Sequence, residues 1–397
     1  MVKKDGVIFY KQPHLYTMLP PFYQNCFQRQ LKQAEYLTLQ ILIFLLQAHK
    51  QVSIESLATV MPYPIAFESR RRAIQRFLKL PTLNIEKLWF PLIKYILRTQ
   101  FNKQKELIVA IDRTQWRDRN IFFICLIWQQ RALPLYWQIL PKKGCSNIRE
   151  QKELIRPIFR LLTKYKFALI GDREFGSVKL AKWLGEKNVR FVLRIQKGRY
   201  IEEEGENFKR LSDLGLMPGT SFYFKDVQVT KQKGFGLFDI AGYWKRRYRG
   251  HGEDEGWYLL TNLGSLKEAV ATFKCRSGIE AMFKDCKTGG YNLEKSHAST
   301  ERLKTLILLI AFAYSCATLQ GKEIQKLGIQ KYVGRLTEEP RTIRRHSSFW
   351  MGLYGHAWVI GIECCEKMIE ELMAIRRNKL PFFQRGLRAM SLMIRTL

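Results

Sequence analysis

The chain has 397 residues, with 67 Lys+Arg against 35 Asp+Glu and a formal net charge of +32 at neutral pH. Hydrophobic residues make up 46% and aromatic residues 13%, enough to bury a large core, which excludes a disordered chain, a collagen and a small disulfide scaffold. Length alone suggests two or three domains, at roughly 100–200 residues each.

The positive excess is not a tail. Residues 1–100 carry 14 Lys/Arg and 5 Asp/Glu, residues 101–320 carry 39 and 23, and residues 321–397 carry 14 and 7. A long polyanion touched at many places is the natural partner, and nucleic acid fits that best. A membrane surface fits less well, because no segment concentrates Lys/Arg on a short amphipathic helix. The N-terminus reads MVKKDGVIFYKQPHLY, with Asp5, Lys11 and Pro13 where a secretory signal would be apolar. The apolar stretch Leu306–Leu319 is too short to span a bilayer and reads as a buried helix. The eight cysteines form no CxxC pair and the six histidines are scattered, which gives a zinc site little support. Reduced thiols in a cytoplasm are the expectation.

In chain order, residues 1–100 read as helical. Apolar positions recur at helical spacing in 31–48, 54–60 and 74–80. The run Glu68–Leu78 puts Arg72 and Arg76 four apart on one face, opposite Ile74, Phe77 and Leu78. That face suits either phosphates or solvent. At residue 101 the texture changes to short apolar runs at 106–111, 121–128 and 133–140, read as a three-stranded meander. A helical stretch, 147–164, leads to the strand 167–171, and a second helix, 178–186, leads to the strand 191–195. The pattern is β-β-β-α-β-α-β, an α/β mixed sheet with helices on its faces. Residues 198–262 are glycine-bearing and alternate, as expected of a β-rich insertion. Residues 265–320 read as long helices, and residues 321–397 as a basic, helical C-terminal region. The domains expected are therefore 1–100, 101–320 and 321–397.

Asp112 and Asp172 each end an apolar run. Side chains at strand ends point into the crevice where ligands bind in such sheets. Two aspartates from adjacent strands make part of a site for a hard cation such as Mg²⁺, and a carboxylate on a facing helix would complete it. Glu280 is the candidate: on a helix, Arg276, Glu280 and Lys287 share a face that Phe273 begins. Two cations beside one carboxylate suit a metal-bound phosphodiester. Taken singly, each acid fits a salt bridge or a cap at least as well, and Asp118, Glu174, Asp285 and Glu294 are nearby competitors.

The order Asp112, Asp172, Glu280 on this element pattern resembles the DDE transposases, which have a ribonuclease-H-like catalytic core. It is most similar to the IS4 group of bacterial insertion sequences, whose signature Tyr-x2-Arg-x3-Glu-x6-Lys appears as Phe273, Arg276, Glu280 and Lys287, with Phe for Tyr. Asp172-Arg173-Glu174 matches the family's second motif, Asp112-Arg113-Thr114 its first, and the match spans about residues 105–320. The resemblance implies cleavage of DNA at element ends and strand transfer into target DNA. It implies two Mg²⁺ ions (Mn²⁺ substituting) held by Asp112, Asp172 and Glu280. Arg276 and Lys287 would hold phosphate, with Arg173 and Lys284 near it and Glu174 orienting a cation or base. Trp257, in the insertion, matches the family's tryptophan that stacks on a flipped base, with Trp244 as backup. The substitution of Phe273 removes a hydroxyl that the family places near DNA phosphate. The resemblance further implies double-stranded DNA as partner, a homodimer pairing two ends, N-terminal helices on DNA (Arg72 and Arg76 among their residues) and C-terminal helices in protein contact. The rival readings are a ribonuclease-H-like nuclease without strand transfer, an inactive transposase-derived DNA-binding protein, and a basic RNA-associated structural protein.

Overall fold

Two hydrophobic textures, helical in the outer parts of the chain and strand-like in the middle, sort the computed structural model into two units: residues 1–92 with 285–397, and residues 93–284. The structure describes all residues except 1, 5–6, 10–18, 117–118, 203–206, 231–235, 247–253, 288, 338–344 and 397. Asp118 and part of the β-rich stretch thus lie outside the described residues.

The helical unit opens with an antiparallel pair, β1 (Val2–Lys4) and β2 (Val7–Phe9). Helices α1 (Pro21–Gln28), α2 (Gln33–His49), α3 (Ile54–Val60) and α4 (Phe67–Phe77) follow. Their apolar stripes face inward: Leu39, Leu42, Ile43 and Leu46 of α2 are fully buried, as is Ile74 of α4. Ser53 caps α3 by accepting from the Ser56 amide. A π turn at Ile85–Trp89 leads into α5 (Phe90–Gln100), which enters the second unit.

In the sheet unit, β3 (Leu107–Trp116), β4 (Arg119–Trp128) and β5 (Arg131–Leu140) form the antiparallel meander. Nearly all of β4 is buried, as expected of a strand covered on both faces, and its residues Ile121–Trp128 are a continuous apolar run. Helix α6 (Ile148–Leu161) crosses over to β6 (Phe167–Gly171), which lies parallel to β3, and α7 (Val178–Glu186) crosses to β7 (Arg190–Arg194), parallel to β6. Short strands β8 (Tyr200–Glu202) and β9 (Phe208–Arg210) pair with each other. The rest of the β-rich stretch does not stand apart. Strands β10 (Ser221–Gln228), β11 (Leu237–Tyr243) and β12 (Trp257–Thr261) extend the main sheet through β12 on β7, giving the order β10-β11-β12-β7-β6-β3-β4-β5. Helices α8 (Leu266–Lys274) and α9 (Ser277–Cys286) follow. This mixed sheet with flanking helices is the ribonuclease-H-like α/β architecture expected from the sequence.

The chain then returns to the helical unit through α10 (Thr300–Lys326), α11 (Ser348–Cys364), α12 (Glu366–Ile375) and α13 (Leu380–Thr396). Residues 285–320, expected in the middle domain, pack in this unit. Helix α10 is longer than the apolar run suggested: its 27 residues are long and apolar enough to cross a membrane, and 89% of its apolar window is buried. Phe312 meets Phe27 and Trp89 edge-on, Tyr314 stacks on Phe349, and Tyr23 shares a buried 2.5 Å hydrogen bond with Ser315. Helices α10 and α11 touch backbone to backbone: a Cβ at Gly321 would lie 1.7 Å from the Ser348 carbonyl oxygen, and one at Gly352 would lie 1.8 Å from that of Ala317.

Candidate active site

The parallel register of β3 on β6 runs from Leu107↔Phe167 to Ile111↔Gly171, so the next step brings Asp112 beside Asp172. Asp172 leaves β6 into the 3₁₀ turn Arg173–Phe175. Asp112 lies within its strand, because β3 goes on to Trp116 in antiparallel pairing with β4. The position that ends is the parallel pairing, and the crevice opens there. The third acid, Glu280, sits in the first turn of α9, where the helix N-terminus favours a carboxylate.

The helix carrying the signature is not continuous. Helix α8 stops at Lys274, Cys275 and Arg276 form a turn, and α9 starts at Ser277. Just after the break the backbone passes close to β5: a Cβ on Gly278 would lie 2.9 Å from the Arg131 carbonyl oxygen. Lys287 lies beyond the end of α9, in the helical unit, where its Nζ is 2.8 Å from Glu294 Oε1. Arg276 and Glu280 meet as expected, while Lys287 is engaged with Glu294.

Arg276 gathers the three acids. Its Nη1 lies 3.3 Å from Asp112 Oδ2 and 3.7 Å from Asp172 Oδ2, and its Nη2 lies 2.5 Å from Glu280 Oε1. The guanidinium, expected on phosphate, stands among the carboxylates instead. Arg276 and Asp112 side chains are 17% and 18% exposed, whereas Glu280 is 54% exposed, so the first contact is held away from solvent and the last is not. Burial pushes the Asp112 carboxyl up to about 6. The Arg113 amide, which donates to Asp112 Oδ1 at 2.7 Å, and the Arg276 charge pull it down, and Asp172 and Glu280 raise it further.

Among the described residues no three His, Cys, Asp or Glu side chains meet closely enough to hold a metal ion as they stand. The donor set nevertheless fits a hard divalent cation once the guanidinium withdraws. All three groups are carboxylates that already face one cationic group. Asp172 Oδ1 is buried without a hydrogen-bond partner, its nearest cation being Arg194 Nη1 at 3.6 Å.

Around the acids lies a ring of charge that local sequence did not announce. Glu255 pairs with Arg173, with Arg194 Nη2 at 3.7 Å and with Lys197 Nζ at 3.7 Å. Arg194 is 15% exposed, and burial, aided by Arg173, lowers its pKa. The signal for it was available: a lone cation inside the apolar strand 191–195. Glu174, expected to orient a cation or base, is engaged with Arg113 and Ser146. It accepts from Arg113 Nε at 2.6 Å and from the Ser146 amide and hydroxyl at 2.8 and 2.7 Å, tying β3 to the start of α6.

Trp257 is half-buried, edge-on to Phe273 at 5.0 Å and 5.8 Å from the Tyr243 ring. Phe273 is 3% exposed and presents no surface to DNA; it packs beneath Trp257, with the Arg276 guanidinium 6.0 Å from its ring. Lys284 is exposed near the end of α9. Arg72 and Arg76 are exposed on α4 in the helical unit. Of the expected site residues, Asp112, Asp172, Glu280 and Arg276 come together, with Arg173 linked to them through Glu255 and Arg194.

A family model of the transposase DDE domain matches residues 103–316. Comparison with curated proteins finds no match. Among solved structures, the piggyBac transposase synaptic complex with hairpin DNA is similar at 14% identity and a TM-score of 0.43, covering 86% of this chain and 77% of that one. With more than half its residues matched, the chain belongs to the DDE transposase domain family.

Proposed function

We propose that this chain is the DNA transposase of an insertion sequence of the IS4 group, cutting DNA at the element's ends and joining the freed ends to target DNA. The observation that carries the reading is the convergence of Asp112, Asp172 and Glu280 on one cationic group. The acids would hold the divalent cations, Mg²⁺ or Mn²⁺, which when bound supply Lewis acidity for phosphodiester hydrolysis and transesterification.

The chain's own residues do the rest. Arg276 is the internal counter-cation of the acids until a phosphodiester offers it other anionic oxygens. Asp112 serves as an anion above about pH 6, where its carboxyl is ionised. Glu255 restrains Arg173, Lys197 and Arg194, the last of these beside Asp172, ready to meet negative charge arriving in the crevice. Glu174 holds Arg113, and with it the strand position of Asp112. Trp257 is the candidate platform for an unstacked base. The N-terminal helices bind DNA, and a homodimer pairs the two ends, with the C-terminal helices in protein contact.

The test is a nicking assay on duplex DNA with Mg²⁺, followed by strand transfer from a pre-cut end. Asp172→Ala should abolish nicking and keep DNA binding. Cleavage without joining would make the chain a nuclease. Binding without either step would make it an inactive derivative.

A further inference from the structure

We infer that the groove between α4 and the start of α10 is a clamp for the sugar–phosphate backbone of duplex DNA, a second contact surface that uses none of the carboxylates. The inference rests on the proposed action on DNA and adds where the helical unit holds it. Helix α4 buries Ile74 and Phe77, which turns Arg72 and Arg76 outward, with Lys79 following just past the helix end. Arg302, in the first turn of α10, completes the lining together with Ser69 and Gln75. The groove encloses about 490 Å³, and of its six lining residues four are cationic and none is acidic.

Its charge is largely unspent. Glu68 lies 3.3 Å from Arg72 and Glu301 lies 3.8 Å from Lys79, but all four side chains are more than half exposed, and such pairs are weak. Arg76 and Arg302 have no carboxylate partner among the described residues. Arg302 Nε is buried and lacks an acceptor, a state that an oxygen entering the groove would relieve.

The lining also selects the ligand. Its lining residues include no aromatic ring to stack a base and no aliphatic residue to anchor a peptide, so a lone nucleotide or an acidic peptide finds little beyond charge. Guanidinium forks fit non-bridging phosphate oxygens in pairs. From Arg72 to Lys79 the cations spread over about 10 Å at 1.5 Å per residue, the axial length of about three phosphates on one strand.

The test uses the full chain and a generic duplex, with dissociation constants measured from about 50 to 300 mM salt. The variants are R76Q/R302Q, R76K/R302K and, as a control outside the groove, R71Q; matching thermal melts establish that each is folded. Each lost phosphate contact removes about 0.9 from the slope of log affinity against log salt, so R76Q/R302Q should lower it by about 2 and weaken low-salt binding at least tenfold. R76K/R302K should keep most of the slope. Unchanged slope and affinity in R76Q/R302Q, while the wild-type chain binds and nicks DNA, would overturn the groove and leave the proposed function standing. An equal loss in R71Q would likewise overturn it, by showing an effect of net charge alone. A wild-type chain that neither binds nor nicks duplex DNA would remove the functional reading itself.

Discussion

Asp112→Asn should destroy nicking and at the same time stabilise the protein, because the carboxylate is held where its charge is unfavourable. Burial raises Asp112 from 3.8 to about 6, so ionising it in the folded protein costs about 3 kcal/mol at most. Asparagine keeps an oxygen for the Arg113 amide, and the attraction of Arg276 for the carboxylate is already contained in that net shift. The gain at pH 8 is therefore at most about 3 kcal/mol, or about 6–12 °C in melting temperature for a unit of this size. The sign with pH follows from the direction of the shift. A carboxyl whose folded pKa is raised contributes stability that is full below about pH 4 and lost as pH rises through about 6. The advantage of the asparagine variant is therefore largest above pH 7 and falls by half or more at pH 4.5. Melting curves of both proteins in EDTA at the two pH values measure it. A variant that melts no higher at pH 8, or whose gain is the same at pH 4.5, would refute the claim that desolvation dominates at Asp112.

Glu174→Gln should destabilise by about 2–3 kcal/mol in urea unfolding, since Glu174 is 12% exposed and three donors converge on it; a change under about 0.5 kcal/mol would make the link incidental. Gly352→Ala should cost about 3 kcal/mol or more, because the new methyl meets the Ala317 backbone, whereas Gly361→Ala in the same helix meets nothing and should stabilise slightly. Equal melts for those two variants would contradict the close approach of α10 and α11. Trp257→Ala should spare first-strand nicking and slow hairpin formation, scored on denaturing gels; equal loss of both would assign Trp257 to packing against Phe273 and Tyr243.

The strands and two of the acids were legible because they follow from local texture. An apolar run closed by an aspartate is a short-range signal, and both Asp112 and Asp172 carry it. What the run could not tell is that β3 continues past Asp112, since that depends on its pairing with β4 and not on its own residues. The helix periodicity around Glu280 brought Arg276 and Glu280 together, but it did not show the break before α9 or the pairing of Lys287 with Glu294. The break at Cys275–Arg276 goes with the contact between Gly278 and Arg131, about 150 residues away in sequence. Glycine and alternation in residues 198–262 marked β structure correctly, yet nothing local says that β12 pairs with β7 and so joins the stretch to the main sheet. The Glu255 and Glu174 clusters were hidden for the same reason: each joins charges that are far apart in the chain.

The burial of Asp112 has one more measurable consequence. Asp112 is the least exposed of the three acids that meet Arg276, and its burial, with the neighbouring Asp172 and Glu280, holds its pKa up. If Asp112, Asp172 and Glu280 hold a divalent cation in place of the guanidinium, Asp112 would have to be ionised, and it would give up the proton that it carries. At pH 6 the carboxyl is about half protonated, so about half a proton should be released per chain, falling to almost none at pH 8. Calorimetric titration with Mg²⁺ or Mn²⁺ in buffers of different ionisation heat counts those protons without any turnover. Asp112→Asn should remove the release. Cation binding at pH 6 with no proton released would mean that the ion does not use Asp112, and that Arg276 holds these three acids together for structural reasons alone.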